Sequence, residues 1–83
     1  MSDRVRMFTL STCGHCKAAK KFMSDHGIET NCTDVDLLTG DLRKTTIEEV
    51  KKYNPACSFP TILIGDRIII GFNEAKLREA LGL

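Results

Sequence analysis

No apolar stretch in this 83-residue chain exceeds three residues; the longest are ILI at 62–64 and III at 68–70. A membrane-spanning helix needs about twenty, so none is expected. Neither sign of charge prevails. Twelve basic against eleven acidic residues leave a net charge of +1, which gives no footprint for nucleic acid or an anionic membrane surface. The N-terminal stretch MSDRVRMFTL carries charges within its first six residues and has neither an apolar h-region nor a small-residue cleavage site. It does not read as a secretory signal. The expected home is a reducing cytoplasm, where thiols are catalytic or metal-binding rather than structural. Internal repeats, low-complexity tracts and linkers are all missing, so residues 1–83 read as one domain, expected to act as a monomer. Folding at this length buries roughly 60% of the unfolded chain's surface. A hydrophobic content of 42% suffices for a small core without metal or disulfide staples.

What is present is a succession of short periodic segments. Residues 5–10 are rich in strand formers and run straight into STCGHCK at 11–17. Ala18, Ala19, Phe22 and Met23 then recur at helical spacing, with Lys17, Lys20, Lys21 and Ser24 on the other face. That helix should stop near His26, because Gly27 suits a left-handed C′ position. His26 itself falls at the helix C-terminus, where a partial positive charge is favourable, and is assigned to structure. A second strand is expected over 28–35, less apolar and so nearer an edge. TGD at 39–41 breaks the pattern. A second helix is signalled around TTIEEVKKY (45–53) by Thr45 with Glu48 or Thr46 with Glu49, either pair able to form a capping box. NPACSFP (54–60) reads as a loop. TILIGDRIIIG (61–71) reads as a hairpin turning at Gly65-Asp66 with II′ character. Asn73 can cap a last helix over 74–81, with Leu77, Ala80 and Leu81 facing inward. The order is β-α-β-α-β-β-α. Its first βαβ unit makes two strands parallel and the hairpin adds antiparallel ones, giving an α/β fold with a four-stranded mixed sheet and helices on its faces.

A lone C-x-x-C fits a metal clip, a structural disulfide or a redox pair. Cys13 falls where the first strand hands over to the first helix. The positive end of the helix and its unpaired N–H groups both favour a thiolate there. Cys16, one turn in, meets the apolar edge. That asymmetry suits an attacking thiol, Cys13, and a resolving thiol, Cys16. Gly14 allows close approach of a substrate backbone. His15 either tunes the pair through an imidazolium or is a solvated loop histidine. Lys17, Lys20 and Lys21 either add positive potential near the thiols or form the wet face of the helix. The alternative is a zinc or iron–sulfur binding module using the same cysteines, which for a four-ligand site within one chain would also need the other two. Cys32 and Cys57 come singly, without a second metal-ligand spacing, and the topology separates them, so no metal site is assigned. Both are expected to be small buried or half-buried packers, with Cys57 in a loop beside the C-x-x-C.

The C-x-x-C ending the first strand, the element order, and SFPTILIGD leading into a hairpin together resemble the glutaredoxin branch of the thioredoxin superfamily, over essentially the whole chain. The resemblance implies a thioredoxin-like fold, a cis peptide bond before Pro60, and main-chain groups of Phe59 that pair with an extended substrate. It implies a thiol–disulfide oxidoreductase with no bound cofactor, acting on a disulfide-containing protein or small molecule. CGHC itself is similar to the motif of protein disulfide isomerase, but the length and the start of the chain argue against that enzyme. Glutathione-dependent glutaredoxins typically follow the last strand with Gly-Gly and then a polar or acidic pair that binds the γ-glutamyl end of glutathione. Here the residues are Gly71, Phe72, Asn73 and Glu74. Gly-Phe resembles the glutaredoxin-like hydrogen donors of ribonucleotide reductase, which draw on a thioredoxin-reductase-type donor. Phe59, Pro60, Gly71, Phe72 and Asn73 are therefore the candidate substrate-binding residues, and glutathione and a reductase are the two candidate reductants.

Overall fold

In the computed structural model, residues 5–83 are described; residues 1–4, part of the stretch read above for a signal, lie outside the described residues. Strand β1 (Val5–Thr9) leads into helix α1 (Gly14–Asp25), then strand β2 (Asn31–Asp34), a 3-10 turn (Val35–Leu37) and helix α2 (Gly40–Tyr53). Strands β3 (Thr61–Ile64) and β4 (Arg67–Ile70) and helix α3 (Glu74–Leu81) complete the chain. The sheet order is β2-β1-β3-β4. β1 and β2 are parallel, with Met7 opposite Cys32 and Thr9 opposite Asp34; β3 is antiparallel to both β1 and β4. This is the expected mixed four-stranded sheet in a thioredoxin-like fold.

Side chains alternate across each strand, so every strand feeds two cores. Val5 and Met7 of β1, with Ile62, Ile64 and Ile69, pack against Ala19, Phe22 and Met23 of α1 and Leu77 of α3. Phe8 and Leu63 turn the other way, against Val50 of α2 and Val35. All four residues of β3 are buried, as a central strand covered on both faces requires.

Helix ends follow local chemistry. After α1 the Gly27 N–H donates to Ser24 O and the Ile28 N–H to Met23 O, with Gly27 at φ +65°, the Schellman closure expected at that glycine. His26 Nδ1 lies 2.8 Å from Phe22 O and its ring packs on Phe22, in keeping with a structural role. The side-chain oxygen of Asn73 accepts from Lys76 N–H at 3.1 Å, capping α3. In the hairpin turn Gly65 has φ +60° and Asp66 does not share the positive sign, consistent with type II′.

Two boundaries differ from the expectation. β2 is four residues rather than eight, because the Schellman closure and the packing of Ile28 onto the core occupy the first part of the segment. α2 begins at Gly40, not at Thr45. Its capping position is Thr39, and Asp41 stands in its positive first turn. Thr46 is buried in mid-helix, so neither capping box forms. Residues 40–45 are all exposed, and a fully wet turn has no apolar period to read. Among the described residues, no helix is long and apolar enough to cross a membrane.

Candidate active site

The loop between β1 and α1 is fixed from outside. Ser11 donates from its N–H to Asp36 Oδ1 at 2.9 Å and from its hydroxyl to Oδ2 at 2.6 Å. These bonds hold the Asp36 carboxyl below the usual carboxylate range. Cys13 N–H donates to Leu10 O at 3.2 Å, and Cys13 O accepts the first helical bond, from Lys17 N–H, at 3.0 Å. Cys13 is thus the N-cap residue of α1, extended at φ −86° and ψ 125°, without a side-chain cap hydrogen bond.

The two thiols sit in opposed surroundings. Cys13 is half-exposed, and its pKa is lowered. The main-chain N–H of Cys16 favours the anion most, then the Cys16 thiol, with a further contribution from the His15 N–H. Cys16 is wholly buried. Burial pushes its thiol up to about 11, only partly offset by the Leu10 N–H, which donates to its sulfur at 3.3 Å. One turn of helix separates a thiol that ionises readily from one that holds its proton.

The flanking residues are less uniform. His15 and Lys17 are exposed, and what reaches Cys13 from His15 is the main-chain N–H rather than the imidazole. A Cβ added at Gly14 would meet nothing within 4 Å, so the space above it is open. The lysines do not share one wet face. Lys21 pairs with Asp25 in solvent, whereas Lys20 is half-buried, with Nζ 2.7 Å from Asp34 Oδ1.

Register brings the second half of the site to the same end of the sheet. Phe8 is opposite Thr61 and Thr61 opposite Ile70, so residues 59–60 and 71 continue past the strand ends beside Thr9 and Leu10. The Phe59–Pro60 bond is cis, as the resemblance implied. Gly71, at φ +81°, donates its N–H to Pro60 O at 2.8 Å. Buried Asn54 shapes this loop through Nδ2, which donates to Ser58 O, Ser58 Oγ and Thr61 Oγ1 at 3.0–3.1 Å. Phe72 is half-buried against the α1 core, edge-on to Phe22 at 6.2 Å. The Asn73 side chain is committed to its cap, and Glu74 accepts from Arg78 Nε at 3.0 Å.

The lone cysteines divide. Cys57 is half-buried against the core of Phe8, Val35, Val50 and Leu63, as expected of a packer. Cys32 is exposed, contrary to that expectation, because it lies on edge strand β2; its sulfur is 3.3 Å from Thr9 Oγ1. Among the described residues, no three His, Cys, Asp or Glu side chains gather at metal-ligand spacing. Thr9, Asp34, Asp36 and Asn54 were not singled out from the sequence. Each is an ordinary polar residue whose partner lies on another element or across the loop, so no local spacing marks them.

Comparison with known proteins agrees with this geometry. The family model described as Glutaredoxin matches residues 5–69. A glutaredoxin-like 8.6 kDa protein in the rubredoxin operon of Clostridium pasteurianum is 29% identical over 77 residues, covering 93% of this chain and 96% of the relative. The crystal structure of Methanosarcina acetivorans methanoredoxin is similar at 38% identity and a TM-score of 0.92, covering 99% of this chain and 87% of that one. The glutaredoxin of Methanosarcina mazei Go1 is 41% identical with a TM-score of 0.88, covering 99% and 81%.

Proposed function

The chain belongs to the glutaredoxin family, and we propose that it is a dithiol–disulfide oxidoreductase in which Cys13 attacks and Cys16 resolves. The observation that carries this reading is the opposed environment of the two thiols: Cys13 lowered at the helix cap, Cys16 buried and raised to about 11. The Cys13 thiolate attacks one sulfur of a substrate disulfide, forming a mixed disulfide and releasing the other sulfur as a thiolate that takes up a proton. Cys16 then loses its proton and attacks the Cys13 sulfur. The Cys13–Cys16 bond forms, the bond to substrate breaks, and the second substrate thiol leaves. Two electrons pass from the enzyme dithiol to the substrate disulfide, and a donor thiol or reductase restores them. Phe59 main-chain groups, beside Pro60 and Gly71, would hold an extended substrate in the manner of an added strand.

The test is mutational. Cys16→Ser should accumulate a stable mixed disulfide on Cys13 with a peptide disulfide, while Cys13→Ser should not turn over. The opposite pattern overturns the assignment.

For the donor, a thioredoxin-reductase-type enzyme fits better than glutathione. Phe72 stands where glutathione-dependent members typically carry glycine, and the Asn73 side chain already serves its own helix. The Glu74 carboxylate repels a glutathione carboxylate less than its charge suggests, because Arg78 balances it. Turnover with NADPH and thioredoxin reductase should therefore exceed turnover with glutathione and glutathione reductase. Efficient turnover with glutathione alone would contradict this choice. A reducing cytoplasm is the compartment that suits such a couple.

A further inference from the structure

Resolution requires Cys16 to give up a proton, yet among the described residues no carboxylate or imidazole is hydrogen-bonded to its sulfur, which meets the Leu10 N–H and the Cys13 thiol. Four residues along α1, and so on the same side of the helix, stands Lys20. Its Nζ donates to Asp34 Oδ1 at 2.7 Å, with both side chains mostly withdrawn from solvent. Asp34 also accepts from the hydroxyl of Thr9 at 2.5 Å. Thr9 is wholly buried and precedes Leu10, the residue that holds the Cys16 sulfur. β1, β2 and α1 thus hold one cation on the side of α1 that carries the buried thiol.

We propose that Lys20, anchored by Asp34, is a positioning residue for the resolving step: its fixed cation favours the Cys16 thiolate and so hastens product release. This rests on Cys16 being the resolving thiol. The charges facing Cys16 are Cys13, which opposes its ionisation, and Lys20, which favours it. Those facing Lys20 are Asp34, Cys32 and Cys16; those facing Asp34 are Lys20 and, opposing its ionisation, Asp36. The hydrogen bond to Asp34 raises the Lys20 pKa, so the cation persists through the neutral range. In the mixed disulfide Cys13 carries no charge. Lys20 is then the ionised side chain left acting on Cys16, at the moment when its ionisation matters. The step balances: the Cys16 proton passes through solvent to the departing substrate thiolate as the Cys13–Cys16 bond replaces the Cys13–substrate bond.

The size of the effect is bounded by thiol chemistry. A cation that raises the thiolate fraction tenfold accelerates attack only about three- to fourfold, because nucleophilicity falls with pKa at a Brønsted slope of about 0.4–0.5. Stopped-flow reaction of excess reduced protein with dithiodipyridine, an uncharged chromogenic disulfide, reads both steps, in a Cys32→Ser, Cys57→Ser background. The first thiopyridone is released when Cys13 attacks and the second when Cys16 resolves. Lys20→Met should slow the second phase about threefold near neutral pH and move its pH profile upward, leaving the first phase within about twofold. Lys20→Arg should restore most of the loss, and Lys21→Met should change neither phase. Equal second phases in Lys20→Met and its parent, or equal slowing of both phases, would overturn the proposal. Absence of a first phase in the parent itself would instead remove the reading of the site on which the proposal rests.

Discussion

Cys13 and Cys16 are the same residue type one helical turn apart, and opposite physical effects govern them. Amide N–H groups at the cap favour charge on Cys13, whereas burial opposes it on Cys16. Linkage turns this into a stability profile for the reduced protein. The folded Cys13 pKa lies below that of an unfolded thiol near 8.5, so stability rises with pH between the two. The folded Cys16 pKa is about 11, so its contribution is complete below about 8.5 and is lost as pH climbs towards the folded value. Urea midpoints of reduced protein should therefore rise and then fall with pH. Cys16→Ser should keep the rise and lose that part of the fall. His15 gives a second residue-scale prediction. Its contribution to Cys13 is a main-chain N–H, so His15→Pro, which removes that donor, should raise the pH midpoint of Cys13 alkylation, and His15→Ala should barely move it. Equal shifts in both variants would return the role to the imidazole.

The elements act as supports for these residues. α1 holds Cys13 at its mouth and Cys16 on its buried side, and its Phe22 and Met23 fix it to the sheet. α3 is the shortest α-helix among the described residues, at eight residues, and depends on its cap. Asn73→Ala should cost about 1 kcal/mol in denaturant unfolding, with the relative reactivity of Cys13 and Cys16 unchanged. The sequence legibly marked those helix ends that single residues enforce: Gly27 closing α1, Asn73 opening α3, Gly65-Asp66 turning the hairpin. It did not mark the start of α2. The first turn there is wholly exposed, so no apolar stripe announces it, and Thr39-Gly40-Asp41 looks like an interruption while serving as an entry. The exposure of Cys32 was hidden for a related reason, since it depends on which strand lies at the sheet edge.

At the scale of the whole molecule, β3 binds the two cores together and its leading end carries Pro60. Ile62 is wholly buried in the core beneath α1 and α3. Ile62→Ala should cost about 2–5 kcal/mol, measurable by urea titration, and should lower stability before it alters thiol chemistry. The C-x-x-C, its strand-to-helix setting and the loop before Pro60 were all readable from contiguous residues. The network of Thr9, Asp34 and Lys20 was not, because it joins polar side chains 14 and 25 residues apart that only the parallel register of β1 and β2 brings together. This fold gives the Cys13 and Cys16 thiols opposed acidities. Alkylation of the reduced protein across pH, with each cysteine's modification followed by mass spectrometry, reads those acidities. Cys13 should react with a midpoint below the usual thiol range and Cys16 only as pH approaches about 11; a lower midpoint for Cys16 than for Cys13, or coincident midpoints, would contradict it.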